Sequence, residues 1–138
     1  MEIDITPLAE LDAFPLSHSA AEGGQTAGRD TWYASLDQAE ETPILDTPEK
    51  LQAMRDFALS SGGWTDEEIA EWTPQEINAL FIQWIAGDVR QCPATDGGNA
   101  ESLEEIDWSE YEAQSSEGRI SSNLFRADDG RVLFSLSN

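Results

Sequence analysis

The central third of the chain has the most regular pattern of apolar and polar positions. Between residues 74 and 86, apolar side chains recur at the spacing of three and four that places them on one face of a helix. These side chains are Ile77, Leu80, Phe81, Trp84 and Ile85. The pattern predicts a helix over 74–86 that buries Phe81 and Trp84 in the core and ends at Gly87.

A helix is also predicted before this one, because Thr47-Pro48 combines a capping hydroxyl with a proline at the first helical position. Gly62-Gly63 marks its end. Apolar positions between these two signals again recur at helical spacing, at Leu51, Met54, Phe57 and Ala58. The sequence therefore predicts two helices separated by a short segment, and that segment contains the start of a third, short helix at Thr65.

That segment and the start of the next helix repeat the pattern Trp-Thr-x-x-Glu-Ile, as WTDEEI (64–69) and WTPQEI (72–77). Each threonine can accept from the backbone of the glutamate three residues later, whose carboxylate accepts from the threonine amide. The preceding tryptophan then packs on the fourth helical residue as a hydrophobic staple. We expect Trp64 and Trp72 to be partly buried staples; a duplicated ligand platform is the alternative interpretation.

Towards the C-terminus the period falls from helical to two, which is typical of strands. Gly118 and Asp129-Gly130 are turn signals that separate candidate strands near 108–114, 119–126 and 131–137. The predicted fold class is therefore α+β. Its three central helices pack on a C-terminal antiparallel sheet of three strands, or of four.

A chain of 138 residues is expected to form a single domain. Its N-terminal part contains a possible short helix at Thr6-Pro7 and a candidate strand, TWYASL (31–36), within segments rich in small polar residues. The predicted regions are a loosely ordered part (1–46), a helical region (47–87), an acidic loop (88–107) and a β-meander (108–138).

Charge narrows the classes of partner. The 28 acidic and 7 basic side chains give a formal net charge of −21, so the chain repels DNA, RNA and anionic membranes. Five tryptophans, five phenylalanines and two tyrosines nevertheless supply enough large apolar side chains for a folded core. We expect a monomer or weak dimer whose partner is a basic protein, with no direct nucleic acid or membrane contact.

Cys92 is the only cysteine, so the chain cannot form an intramolecular disulfide. The start, MEIDITPLAELDAF, lacks the basic and apolar regions of a signal peptide, and no apolar run has the length of a membrane span. The expected localisation is cytoplasmic.

Residue types that carry catalysis or bind cofactors are scarce. His18 lies in a segment rich in serine and alanine, and Cys92 has no neighbouring base beyond Arg90. Neither DGGN (96–99) nor ADDGR (127–131) follows a calcium-binding loop, and no glycine pair belongs to a phosphate-binding motif. We expect a protein that is not an enzyme and that uses no metal and no cofactor.

The acids are concentrated in one stretch without a base, at Glu101, Glu104, Glu105, Asp107, Glu110 and Glu112. On the predicted strand, Glu110 and Glu112 would share one face about 6.6 Å apart. Three helical acids, Asp66, Glu67 and Glu71, are predicted to extend this stretch into a continuous negative surface that binds the partner.

A DNA duplex carries one negative charge per about 1.7 Å of axis, so rows of carboxylates can occupy the Lys/Arg groove of a nucleic-acid-binding protein. The leading hypothesis is therefore an acidic, non-catalytic binding protein that mimics nucleic acid. Such a protein would inhibit a basic DNA- or RNA-binding protein, for example a nuclease, a restriction enzyme or a CRISPR effector.

Residues 56–91, DFALSSGGWTDEEIAEWTPQEINALFIQWIAGDVRQ, resemble uncharacterised accessory proteins of bacterial plasmids, phages and integrative conjugative elements. The resemblance implies a mobile-element setting, in which anti-restriction and anti-CRISPR proteins are common. Two alternatives remain: an accessory protein whose acidity serves solubility only, and a small enzyme of unfamiliar type.

Overall fold

The structure, a computed structural model, describes residues 1–10, 36–61, 64–119 and 123–136. Its helices are α1 (Pro48–Ser61), α2 (Asp66–Ala70), α3 (Pro74–Val89) and α4 (Trp108–Ser116), and residues 36–41 are also helical. Its strands are β1 (Glu2–Asp4), β2 (Leu124–Arg126) and β3 (Val132–Ser135). Short 3-10 helices occupy Thr6–Glu10 and Leu103–Glu105. The predicted α+β class is confirmed.

The starts of the central helices follow their local sequence. The hydroxyl of Thr47 accepts from the backbone N–H of Lys50 at 3.2 Å, at the predicted start of α1. Both predicted capping boxes are present, at Thr65 before α2 and at Thr73 before α3. These contacts satisfy backbone N–H groups that the first turn of a helix leaves without partners.

The predicted end of α3 is wrong. The helix continues through Gly87 to Val89, with Arg90 as its C-cap, and Gly87 does not adopt the positive φ of a helix-ending glycine. A glycine inside a helix costs about 1 kcal/mol relative to alanine. Burial of the Val89 side chain, which is fully buried, contributes about 1.5 to 3 kcal/mol and outweighs that cost.

The sheet has the order β1-β3-β2, and both pairs are antiparallel. At its centre, Phe134 of β3 lies opposite Ile3 of β1 on one side and opposite Leu124 of β2 on the other. The turn between β2 and β3 contains the predicted Asp129-Gly130 signal, and Gly130 has a φ of 91°. The last two predicted strand regions therefore contain strands, although shorter ones.

The strand predicted at 108–114 is wrong, because this segment forms α4. Asp107 caps the helix by accepting from the backbone N–H of Glu110, and Trp108 and Tyr111, three residues apart, are both buried. The Tyr111 hydroxyl donates to the Leu124 carbonyl at 2.6 Å, which anchors the helix on β2. The C-terminal region is thus a helix followed by a hairpin, and not a three-stranded meander.

The third strand comes from the N-terminal part, which was predicted to be loosely ordered. Ile3, Ile5 and Leu8 are fully buried, so the prediction is wrong for residues 1–10. The Thr6 hydroxyl accepts from the backbone N–H of Val132 at 3.0 Å, which ties the short helix to β3.

Residues 36–46 are also integrated into the core. Leu45 is buried, and its backbone N–H donates to the side chain of Asn78 at 2.7 Å. The candidate strand 31–36 lies outside the described residues except for Leu36, which is helical. His18 lies outside them as well.

Edge-to-face aromatic contacts connect the helices to the sheet. The ring of Phe134 lies 5.2 Å from Phe81 of α3 and 6.3 Å from Phe57 of α1, and Phe57 lies 5.0 Å from Trp84. Phe81 is fully buried in the core, as predicted, whereas Trp84 is only partly buried and packs against the core, so its predicted core position is confirmed only in part. None of the described helices combines the length and apolar character that crossing a membrane requires.

Candidate functional site

The predicted acidic loop (88–107) is held by buried side chains that direct its carboxylates outwards. Leu103 and Ile106 are 2 % and 3 % exposed, whereas Glu101 and Glu104 are exposed and Glu105 is partly exposed. Backbone bridges at Pro93–Asn99 and Ala94–Ile106 fix the path of the chain on either side. The acids of this loop therefore project from a defined backbone.

The remaining acids of the stretch belong to the start of α4. Asp107 is partly exposed and caps the helix, while Glu110 is exposed and accepts from the side chain of Gln114 at 2.9 Å. Residues two apart in a helix are rotated by about 200°, so Glu110 and Glu112 do not share a face. The predicted strand-like spacing of this pair is wrong. Glu112 and Arg126 line the same polar depression.

Asp66, Glu67 and Glu71 are all exposed and lie at the two ends of α2. Asp66 and Glu67 are in the first turn, where the positive end of the helix dipole favours carboxylates. This helix packs on α1, whereas Leu103–Glu105 packs on the 3-10 helix Thr6–Glu10. The nine predicted residues therefore form two groups on separate elements, and their continuity as one surface stays a prediction.

Three of the basic side chains are paired with carboxylates close to them in the sequence. Ion pairs join Lys50 to Asp46, Arg131 to Asp129 and Arg119 to Glu117. A backbone hydrogen bond from Arg131, followed by its side chain, holds the pKa of the Asp129 carboxyl below its usual value. Within the described ranges, none of the nine predicted acids forms an ion pair. No basic side chain of the described residues thus lies within ion-pairing distance of them, although Arg126 lines the same depression as Glu112.

A groove beside α3 is the second feature of the surface. We call it the tryptophan groove, and it has a volume of about 380 Å³. It is lined by Trp64, Leu80, Gln83, Trp84, Gly87, Asp88 and Gln91. From Leu80 to Gln91, the other six lining residues are alternately three residues and one residue apart. This spacing places them on one stripe of α3 that continues just past the end of the helix.

The two indoles of the groove are held in place by other aromatic rings. Trp64 contacts Trp72 at a centroid distance of 5.6 Å and Trp84 contacts Phe57 at 5.0 Å, both edge to face. Trp64 and Trp72 are partly buried, as predicted. Of the two tryptophans of the repeat, Trp64 lines the groove, as does Trp84, whereas Trp72 is not among the lining residues.

The sequence analysis did not identify this groove. The one residue that could have indicated it is Gly87, a glycine at a position where the helix does not end. A Cβ added at Gly87 would meet no atom within 4 Å, and φ at this position is not positive. Neither packing nor backbone geometry thus requires glycine inside α3. Gln83 is also unusual, since its Nε2 is buried and has no hydrogen-bond partner in the described part of the chain.

Cys92 is fully buried, and its thiol donates to the backbone carbonyl of Asp88 at 3.3 Å. Burial, with a smaller contribution from the charge of Asp88, raises the pKa of the thiol to about 12. Such a thiol is protonated at neutral pH and is a poor nucleophile. Among the residues that the structure describes, no group of three or more His, Cys, Asp or Glu side chains is arranged to hold a metal ion.

The chain was also compared with known proteins. No protein-family model, curated protein or solved structure matches it. Two features of the chain itself therefore define the candidate site: the nine predicted acids, in two groups, and the tryptophan groove.

Proposed function

We propose that this protein is a non-catalytic binding protein whose carboxylates engage a basic protein partner in place of nucleic acid. The observation that supports this proposal is the set of nine predicted acids, seven exposed and two partly exposed, without an ion pair among the described residues. They belong to a chain with a net charge of −21. Clustered like charges destabilise a fold and at the same time attract Lys and Arg side chains.

The way in which the acids are held supports mimicry over a non-specific polyanion. Buried Leu103, Ile106 and Trp108 alternate with the acids of the 101–112 stretch and anchor them to the core. The carboxylate of Asp107 is also fixed, because it accepts from the backbone N–H of Glu110 at 3.2 Å. A groove that binds phosphates at regular spacing favours charges held at defined positions over a mobile acidic tail.

A partner of this kind would be a DNA- or RNA-binding protein such as a nuclease, a restriction enzyme or a CRISPR effector. The acids would occupy its phosphate-binding groove and exclude the natural ligand. Exposed charges are screened over about 8 Å at physiological ionic strength, so the complex should weaken as salt is raised.

The test is a pull-down from the native host at low and high salt with two charge variants. The first neutralises the acidic stretch through Glu104→Gln, Glu105→Gln, Glu110→Gln and Glu112→Gln. The matched control removes four other exposed acids, through Asp37→Asn, Glu40→Gln, Glu41→Gln and Glu49→Gln. Both variants change the net charge equally, so they differ only in where the charge is lost.

We expect recovery of a nucleic-acid-binding protein at low salt with the wild type and the control. The first variant should lose it, and competing duplex DNA should displace it from the wild type. Equal capture by both variants would contradict the proposal and would favour the alternative in which acidity serves solubility only.

A further inference from the structure

We infer that the tryptophan groove receives an arginine or lysine side chain of the basic protein partner. This inference rests on the proposed function and adds a contact outside the acidic stretch 101–112. The groove combines two indole side chains, a carboxylate and open volume, and these three features fit a long cationic side chain and its backbone.

The aromatic part of the site is already organised. A cation over an indole is attracted by the ring quadrupole, and tryptophan is the strongest such partner. Trp64 and Trp84 both line the groove, and their contacts with Trp72 and Phe57 restrict the orientation of each ring. Little ordering of these rings is then required when a guanidinium or ammonium group binds.

The charges around the groove also favour a cation. Among the described residues that line the groove, Asp88 is the one charged residue, so this lining carries a negative charge; its carboxylate also accepts a hydrogen bond from the backbone N–H of Asn123 at 3.3 Å. Gly87 and Asp88 lie in the last turn of α3, at the negative end of the helix dipole, and no basic residue occupies that turn. Arg90, the C-cap residue, does not line the groove.

The open volume depends on Gly87, which has no steric or conformational requirement to be glycine. A larger side chain at this position would project into space that the groove now leaves empty.

The probe is a short peptide of alternating glycine and arginine, compared with peptides in which citrulline or leucine replaces arginine. Citrulline keeps the shape of arginine and removes its charge. Binding is followed by NMR through the indole N–H signals of Trp64 and Trp84, each assigned by substitution with phenylalanine. Three proteins are titrated: the wild type, Gly87→Leu, and Ala113→Leu as a control that adds the same side chain at an exposed helical site.

The arginine peptide should shift both indole signals saturably, and the other two peptides should not. Gly87→Leu should weaken this binding at least about fivefold, equivalent to about 1 kcal/mol, whereas Ala113→Leu should leave it unchanged. Leucine is a better helix former than glycine, so Gly87→Leu should melt no lower than the wild type. A loss of binding would then not be due to unfolding.

Equal shifts with the citrulline or leucine peptide would overturn the inference, as would unchanged binding by Gly87→Leu. The proposed function is tested separately, in the pull-down from the native host, with the charge-neutralised variant and with Gly87→Leu. If capture is lost on neutralising residues 104–112 but retained by Gly87→Leu, the proposed function stands and the groove inference is refuted. If the charge-neutralised variant and Gly87→Leu each lose the partner, the result supports both the proposed function and the groove inference.

Discussion

Replacing Gly87 by alanine should stabilise this protein. The residue lies inside α3, where alanine is favoured over glycine by about 1 kcal/mol because glycine loses more backbone freedom on folding. The added Cβ would meet no atom within 4 Å, so no steric penalty offsets this gain. For a domain of this size the melting temperature should rise by about 3 to 4 °C per kcal/mol.

Gly130→Ala provides the matched contrast, since its Cβ would also meet no atom within 4 Å. There, however, φ is 91°, a conformation that costs an L-residue about 1 to 2 kcal/mol. Thermal and denaturant unfolding, followed by circular dichroism, should therefore show shifts of opposite sign for the two variants. A lower melting temperature for Gly87→Ala would refute the conclusion that neither packing nor backbone geometry requires glycine in α3.

Three further predictions concern buried groups. Asn78→Ala should lower the free energy of unfolding by about 2 to 4 kcal/mol, because it removes the hydrogen-bond partner of the buried Leu45 N–H and C=O groups. Denaturant titration measures this change, and a value near zero would contradict the prediction. Tyr111→Phe should cost about 1 to 2 kcal/mol through the lost hydrogen bond to Leu124, and an unchanged melting temperature would count against that anchor. Cys92, with a pKa raised to about 12, should resist thiol reagents at pH 8 until the protein is denatured; rapid labelling of the folded protein would show that the thiol is accessible.

Local sequence determined where the central helices begin. Thr65 and Thr73 each have a glutamate three residues later, and both capping boxes form as predicted. The turn at Asp129-Gly130 was predictable for a similar reason, since the positive φ of Gly130 is a property of a few adjacent residues. The exposure of most of the predicted acids also followed from the sequence, because a free carboxylate is rarely buried.

The sequence was less informative where two structures suit the same pattern. The segment 108–116 contains apolar residues that fit a strand or a helix, and contacts of Trp108 and Tyr111 with the core favour the helix. That outcome separated Glu110 from Glu112 on the surface. Likewise, Gly87 is a reasonable helix end by local rules, but burial of Val89 extends α3 beyond it.

Only the tertiary structure brought together residues that are distant in the chain. Ile3 pairs with Phe134, and Asn78 binds the backbone of Leu45, contacts for which neither partner carries a local signal. The tryptophan groove arises in the same way, from the packing that sets Trp64 beside one stripe of α3. Capping and turn preferences act over three or four residues, whereas pairing and burial depend on which surfaces meet when the whole chain closes its core.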